Sequence, residues 1–85
     1  MHERLIAEEL LHQAVALARE KGLSQITCLR VGLGAASHET GEALRFWFDL
    51  VRAGTMAEKA SLEIVKGEGR DILLMALQGE APDGP

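Results

Sequence analysis

Residues 25–36, with the sequence QITCLRVGLGAA, decide the fold because they predict a β-strand around which the other elements can be placed. Apolar side chains alternate there with polar or small ones: Leu29, Val31 and Leu33 against Cys28, Arg30 and Gly32. A period of two is typical of a strand with one face against a core. Gly32 and Gly34 give little side-chain cover near its end, which predicts a bulge or the close approach of another backbone.

An amphipathic helix precedes this strand. At about 100° per residue, six apolar residues share one helical face: Ile6, Leu10, Leu11, Ala14, Leu17 and Ala18. We expect the helix to end near Lys21, since Gly22 is placed to adopt the left-handed conformation that closes many helices.

A second helix follows the strand. Thr40 can cap its first turn, where Glu42 complements the positive end of the helix dipole, and the apolar pattern continues to about Ala53. Apolar side chains cover most of its circumference: Leu44, Phe46, Trp47, Phe48, Leu50 and Val51. We expect it to be the more buried of the two helices.

Two further strands are predicted at residues 61–66 and 71–78, joined by the sequence GEGR. A connection this short and rich in glycine favours a hairpin of antiparallel neighbours. The predicted fold is α+β, in the order α-β-α-β-β, with two helices packed on one face of a three-stranded sheet. We assign residues 1–79 to this domain and expect residues 80–85 to form a flexible tail.

The apolar run at residues 72–77, together with the second helix, exceeds what one face of so small a sheet must bury. Either a second copy of the chain or another partner covers the excess, or this strand is central and flanked by helices. The residues leave both alternatives open.

Composition and charge exclude several functions. The nine Lys and Arg are scattered among thirteen Asp and Glu, giving a formal net charge of −4, which argues against nucleic acid as a partner. No apolar run approaches the roughly 18 residues of a membrane span, and the acidic first residues do not resemble a signal peptide, so we expect a cytoplasmic protein. Cys28 is the single cysteine, which excludes an internal disulfide and a four-cysteine zinc site.

The sequence contains few residue patterns that are typical of enzymes. The three histidines do not form a catalytic triad pattern with a nucleophile and an acid, and no phosphate-binding glycine loop is present. The sequence VGLG at residues 31–34 imitates part of a dinucleotide-binding pattern, but no second strand with an acidic ribose partner follows. We therefore expect that the chain is not an enzyme.

The first three residues, Met1-His2-Glu3, are the exception. A free α-amino group, the amide nitrogen of residue 2 and the His2 imidazole can close adjoining five- and six-membered rings around one ion. Nitrogen ligands in a plane suit Ni²⁺ or Cu²⁺ better than Zn²⁺, which favours a tetrahedral site. The bulk of His2 should hinder enzymatic removal of Met1 and so preserve the amine.

The other two histidines are weaker candidates. His12 lies about 15 Å along the helix from His2, too far to share an ion, and is expected to be solvated. His38 precedes the second helix in a polar cluster, where it is a fourth ligand, a residue that orients the ligands without touching the ion, or an exposed loop residue. A histidine at position 2 can also occur by chance, so the ligand chemistry alone does not establish a metal site.

Several short motifs follow one another along almost the whole chain: Met1-His2-Glu3, VGLGA at residues 31–35, EALRF-x-F at 42–48, Gly54-Thr55 and LEI at 62–64. In their order and spacing they resemble the HypA family of nickel incorporation proteins. The resemblance implies a nickel metallochaperone in maturation of [NiFe] hydrogenase, and in some organisms urease. Its implied partners are a nickel-handling GTPase of the HypB type and a nickel-enzyme precursor. The implied nickel ligands are Met1, His2 and Glu3, with the Glu3 amide and carboxylate both open as donors.

The sequence departs from the family in one region. The family carries a zinc-binding domain with two Cys-x-x-Cys pairs between its last two strands, whereas this chain has GEGR at residues 67–70. We therefore expect Ni²⁺ and no zinc. The alternative function is a non-metal interaction or scaffold domain, acting as a homodimer or as a regulator of other maturation proteins, that kept the fold after losing delivery.

Overall fold

The structure, a computed structural model, describes residues 2–82, and of His2 it describes the backbone alone. Two helices and three strands follow one another in the predicted order: α1 (His2–Glu20), β1 (Gln25–Gly34), α2 (Gly41–Val51), β2 (Ser61–Gly67) and β3 (Ile72–Glu80). The helices pack on one face of the three-stranded sheet, which confirms the predicted fold class. None of the helices within residues 2–82 is long and apolar enough to cross a membrane.

The strand order corrects the predicted hairpin. The sheet has the order β2-β1-β3, so β2 and β3 lie on opposite sides of β1 and do not pair with each other. β1 pairs with β2 in parallel and with β3 in the antiparallel sense. The hairpin was wrong because parallel strands need a crossover connection, and α2 supplies it between β1 and β2.

The connection at residues 68–71 passes across the end of β1. Neighbouring strands lie about 4.8 Å apart, so this connection bridges roughly 10 Å. Four extended residues span about 13 Å, which makes the connection long enough for this crossing. A connection this short can therefore join two strands that pair with each other, or two strands that lie on either side of a third.

The helix ends follow the local signals in the sequence. Gly22 has φ of 72°, and the next amide, Leu23 N, donates to Ala18 O at 2.9 Å, which closes α1 as predicted. Thr40 caps α2, since its Oγ1 accepts a hydrogen bond of 3.1 Å from Ala43 N. α2 ends at Val51, two residues earlier than expected.

The core lies between the helices and one face of the sheet. Its buried residues come from α1, β1, α2, β2 and the segment before β2: Ala7, Leu10, Leu11, Ala14, Ala18, Ile26, Leu29, Val31, Leu44, Phe48, Ala57, Ala60 and Leu62. The expectation that α2 is the more buried helix is wrong. Only Leu44 and Phe48 of α2 are buried, whereas Phe46 and Leu50 are 58% and 56% exposed, because α2 contacts its neighbours over only part of its apolar circumference.

β3 is an edge strand, so the interpretation of this segment as a central strand between helices is also wrong. The register shift opposite Arg30 and Val31 leaves Met75 as an extra residue in a β-bulge. Leu73 and Met75 are 55% and 59% exposed, while Leu74 between them packs against the core. The strand also includes Glu80, one residue beyond the predicted domain boundary, and Ser24 N donates to Glu80 O at 2.8 Å.

Candidate metal centre

Three separate segments meet at one end of the domain. These are the start of α1, the loop 35–40 that leads into α2, and the connection 68–71. The loop and the connection are joined by a 2.8 Å hydrogen bond from Ala36 N to Gly69 O. A groove of about 320 Å³ separates the first turns of α1 from the connection, with Ile6 and Glu9 on one side and Arg70 and Asp71 on the other.

The predicted ligands lie at the very start of α1. Met1 and the side chain of His2 lie outside the described residues, so their predicted role is not tested. Glu3 is described and is half-buried in the first turn of α1. Because α1 begins at His2, the amides of His2 and Glu3 belong to the first turn, whose N–H groups have no acceptor within the helix. Metal binding to these nitrogens would break no helical hydrogen bond.

The carboxyl group of Glu3 is held in its charged form. Its pKa lies below the ordinary value of 4.5, chiefly through hydrogen bonding with the α-amino group of the chain and then through the Glu39 carboxyl, while partial burial opposes the shift. Glu3 is therefore an anion at neutral pH. A carboxylate beside backbone nitrogens adds an oxygen donor, or a compensating charge, to the predicted site.

Glu39 is the residue that the sequence analysis missed. It is half-buried, and its amide donates to Ser37 Oγ at 3.0 Å. Its carboxyl group lies within hydrogen-bonding reach of Glu3 and has one oxygen buried from solvent. Sequence reasoning considered His38, which is exposed in the structure. No spacing rule connects Glu39 to residue 3, because only the tertiary fold brings the two together.

The electrostatics of this end depend on its acidic side chains. Both α1 and α2 begin here, and the start of each helix carries roughly half a positive charge from aligned peptide dipoles. Alone, those dipoles would repel a cation. Glu3 and Glu42 offset them, since Glu3 lies in the first turn of α1 and Glu42 in the first turn of α2.

The remaining candidates do not form a second centre. His12 is exposed in a groove that also contains Glu8, Arg19 and Thr55, farther along the helices. Within residues 2–82, no three side chains of His, Cys, Asp or Glu are grouped so that they could hold a metal ion.

Comparison with known proteins relates the chain to nickel incorporation proteins. The family model described as hydrogenase/urease nickel incorporation, metallochaperone, HypA matches residues 1–71. The hydrogenase maturation factor HypA of Rhizobium leguminosarum bv. viciae is 37% identical over 91 residues, covering 98% of this chain and 80% of the relative. The HypA of Azorhizobium caulinodans is 41% identical over 69 residues, covering 81% of this chain and 61% of the relative.

A solved structure has the same fold. The solution structure of the Ni metallochaperone HypA from Helicobacter pylori aligns with a TM-score of 0.83 at 16% identity, over 95% of this chain and 99% of the other. At this identity the likeness establishes the two-helix, three-stranded architecture alone.

Proposed function

We propose a nickel-carrying function for this chain, which belongs to the HypA family of hydrogenase and urease nickel incorporation metallochaperones. A metallochaperone binds and hands on an ion without transforming it, so the chain is not an enzyme. In this proposal Ni²⁺ is the cargo, bound by Met1, His2 and Glu3 in the cytoplasm. The ion then passes to a nickel-enzyme precursor.

The placement of the first helical turn is the observation that carries the proposal. The α-amino group, the amide nitrogen of His2 and the His2 imidazole form fused chelate rings, in the planar nitrogen geometry that Ni²⁺ accepts. The amide can lose its proton to the metal without disrupting α1, since it makes no bond within the helix. Glu3 supplies either its own amide nitrogen or its carboxylate.

In this proposal, few protein groups surround the ion, because the site lies at the start of the chain. A recipient site that offers more ligands can therefore capture the ion. The proposed partners are a nickel-handling GTPase of the HypB type and a precursor of [NiFe] hydrogenase or urease. The proposed site needs no zinc ion.

The alternative proposal is a metal-free interaction or scaffold domain, which includes a homodimer. The exposed apolar side chains support it: Phe46 and Leu50 on α2, and Leu73 and Met75 on β3. Binding of nickel distinguishes the two proposals, because a scaffold has no need of it.

Titration with Ni²⁺ tests the proposed site. Untagged wild-type protein, a His2→Ala variant and a variant with two residues added before Met1 are compared by calorimetry and by the visible absorption of bound nickel. We expect one ion on the wild type and a large loss of affinity in both variants. His12→Ala is the control and should bind as the wild type does. Equal binding by all four proteins would contradict an N-terminal site.

If no protein in this set binds nickel, the scaffold proposal is favoured. Sedimentation at several concentrations then shows whether the chain forms a homodimer.

A further inference from the structure

The end of β1 lies unusually close to the connection 68–71. Gly34 is buried, and a Cβ atom placed on it would lie 2.3 Å from the carbonyl oxygen of Gly69 and 2.7 Å from that of Glu68. Both are backbone atoms, so no side-chain rotation could relieve the overlap. The chain crosses the end of the central strand at this distance because position 34 has no side chain.

Two backbone hydrogen bonds hold the crossing in place. Gly34 N donates to Asp71 O at 2.8 Å, and Ala36 N donates to Gly69 O at 2.8 Å. We call this pair of hydrogen bonds the backbone clamp. It fixes the first residues of the loop 35–40 against the connection 68–71.

The clamp continues toward the candidate metal centre. Ser37 N donates to Gly34 O at 3.0 Å, and Ser37 Oγ accepts from Glu39 N at 3.0 Å. The side chain of Glu39 then meets that of Glu3. A short series of hydrogen bonds therefore leads from the crossing at Gly34 to the carboxyl pair.

The loop has little else to order it. Ala35, Ala36, His38 and Thr40 are exposed, and residues 35–40 contribute no side chain to the core cluster. A loop without buried apolar side chains gains its conformation from its hydrogen bonds. Loss of the clamp should thus release Glu39 while leaving the core between helices and sheet intact.

We propose that Gly34 is a positioning residue for the N-terminal metal site, because its missing side chain permits the backbone clamp that holds the Glu39 carboxyl beside Glu3. This inference rests on the proposed nickel-binding function. Gly34 touches no ligand itself and acts through the loop.

Gly34→Ala and Gly32→Ala form a matched pair for the test. Both add one methyl group to the same strand, but the Cβ at position 32 would meet Met75 Sδ at 3.2 Å, the far end of a flexible side chain. Nickel affinity and the absorption spectrum of bound nickel are measured at a temperature where circular dichroism shows each protein folded. Groups that orient metal ligands typically contribute about 10-fold or more to affinity, so we expect a loss of that size for Gly34→Ala with a changed spectrum. Gly32→Ala should stay within about 2-fold of the wild type.

Combination with Glu39→Ala separates positioning from general destabilisation. If the clamp acts through Glu39, Gly34→Ala should cost little further affinity in the Glu39→Ala background. An insertion of Gly-Gly between Gly69 and Arg70 loosens the clamp without steric overlap and serves if Gly34→Ala fails to fold. It should weaken nickel binding in the same way.

The two proposals fail separately. If the wild-type protein bound no nickel, both the proposed function and this inference would be contradicted. A second outcome would overturn only the positioning role of Gly34. In that outcome the wild type binds nickel and His2→Ala does not, while the Gly34 variant or the Gly-Gly insertion keeps wild-type affinity and spectrum.

Discussion

The guanidinium of Arg45 on α2 donates a hydrogen bond of 2.7 Å to the backbone carbonyl of Leu62 on β2. Arg52, the C-cap residue of α2, donates in the same way to the carbonyl of Ala60, the residue just before β2. β2 is an edge strand, and such edges present backbone groups that can pair with other chains. Arg45 therefore satisfies part of this edge from within the domain, and Arg52 satisfies the carbonyl next to it.

Replacement of Arg45 by Met should lower the free energy of unfolding by about 1 kcal/mol, because the Leu62 carbonyl loses its donor while the apolar stem is retained. Urea denaturation followed by circular dichroism measures the change. Arg19→Met, at an exposed position of α1, is the control and should be close to neutral. An equal effect of both variants would mean that the Arg45 hydrogen bond contributes nothing of its own.

Two phenylalanines of α2 should differ greatly in their contributions to stability. Phe48 is 1% exposed and Phe46 is 58% exposed, although they lie two residues apart. Phe48→Ala should cost about 3–5 kcal/mol through lost burial and a cavity, a large share of the stability of a domain this small. Phe46→Ala should cost less than about 1 kcal/mol. Thermal unfolding of both variants provides the comparison, and similar melting temperatures would contradict the orientation of α2.

Nickel affinity should rise with pH between about 6 and 9, because the imidazole and the α-amino group, with ordinary pKa values of about 6.5 and 8, must lose their protons to bind. Glu3 itself does not titrate in that window, because its pKa is lowered by the α-amino group and by Glu39. By the same interaction the Glu3 carboxylate favours the protonated α-amino group, so Glu3→Gln should move the rise of affinity to lower pH. Calorimetric titrations of both proteins at several pH values measure this shift, and the variant should bind more weakly at high pH, where the amine has lost its proton. Superimposable pH profiles would show that Glu3 influences neither the amine nor the ion.

Glu39→Ala should weaken nickel binding by roughly 3- to 10-fold, since it removes the carboxyl group that hydrogen-bonds the Glu3 side chain and favours its charged form. Glu42→Ala is the matched control, because it removes a carboxyl group from the exposed first turn of α2. We expect a smaller effect there, and high salt should reduce it further. If the two variants weaken binding equally, the contact between Glu39 and Glu3 contributes nothing of its own.

The local elements of the fold could be predicted from the sequence because their signals are local. Gly22 and Thr40 mark helix ends through their own backbone and side-chain chemistry, and the alternation from Leu29 to Leu33 marks a strand without reference to other residues. The close approach of another backbone at the end of that strand was likewise predicted and is confirmed at Gly34.

Strand order could not be predicted in the same way. Periodicity identifies which residues of β2 and β3 face a core but not which strand lies between them. The strand–helix–strand sequence ending in β2 was the signal for parallel pairing, and the short connection after β2 obscured it. The exposure of Phe46 and Leu50 also depends on how far α2 lies from its neighbours, which no pattern within α2 records.

For the candidate site, the ligands are predicted from the sequence, whereas only the structure shows which residues surround them. Met1, His2 and Glu3 were predicted from chelate chemistry and from resemblance, and their role in binding stays a prediction. Glu39 could not be predicted, because it is distant from Glu3 in the sequence and only the tertiary fold brings the two together.

The crossing of residues 68–71 over the end of β1 makes this connection a natural insertion point. β2 and β3 are each anchored to β1, so the sheet does not require the two to meet in a tight turn. Lengthening a flexible connection costs only about 0.6 kcal/mol for each doubling of its length. A whole folded domain could therefore be inserted into this connection, by evolution or by design, while the sheet remains intact. Such an insert would lie beside the start of α1, where we propose that nickel binds.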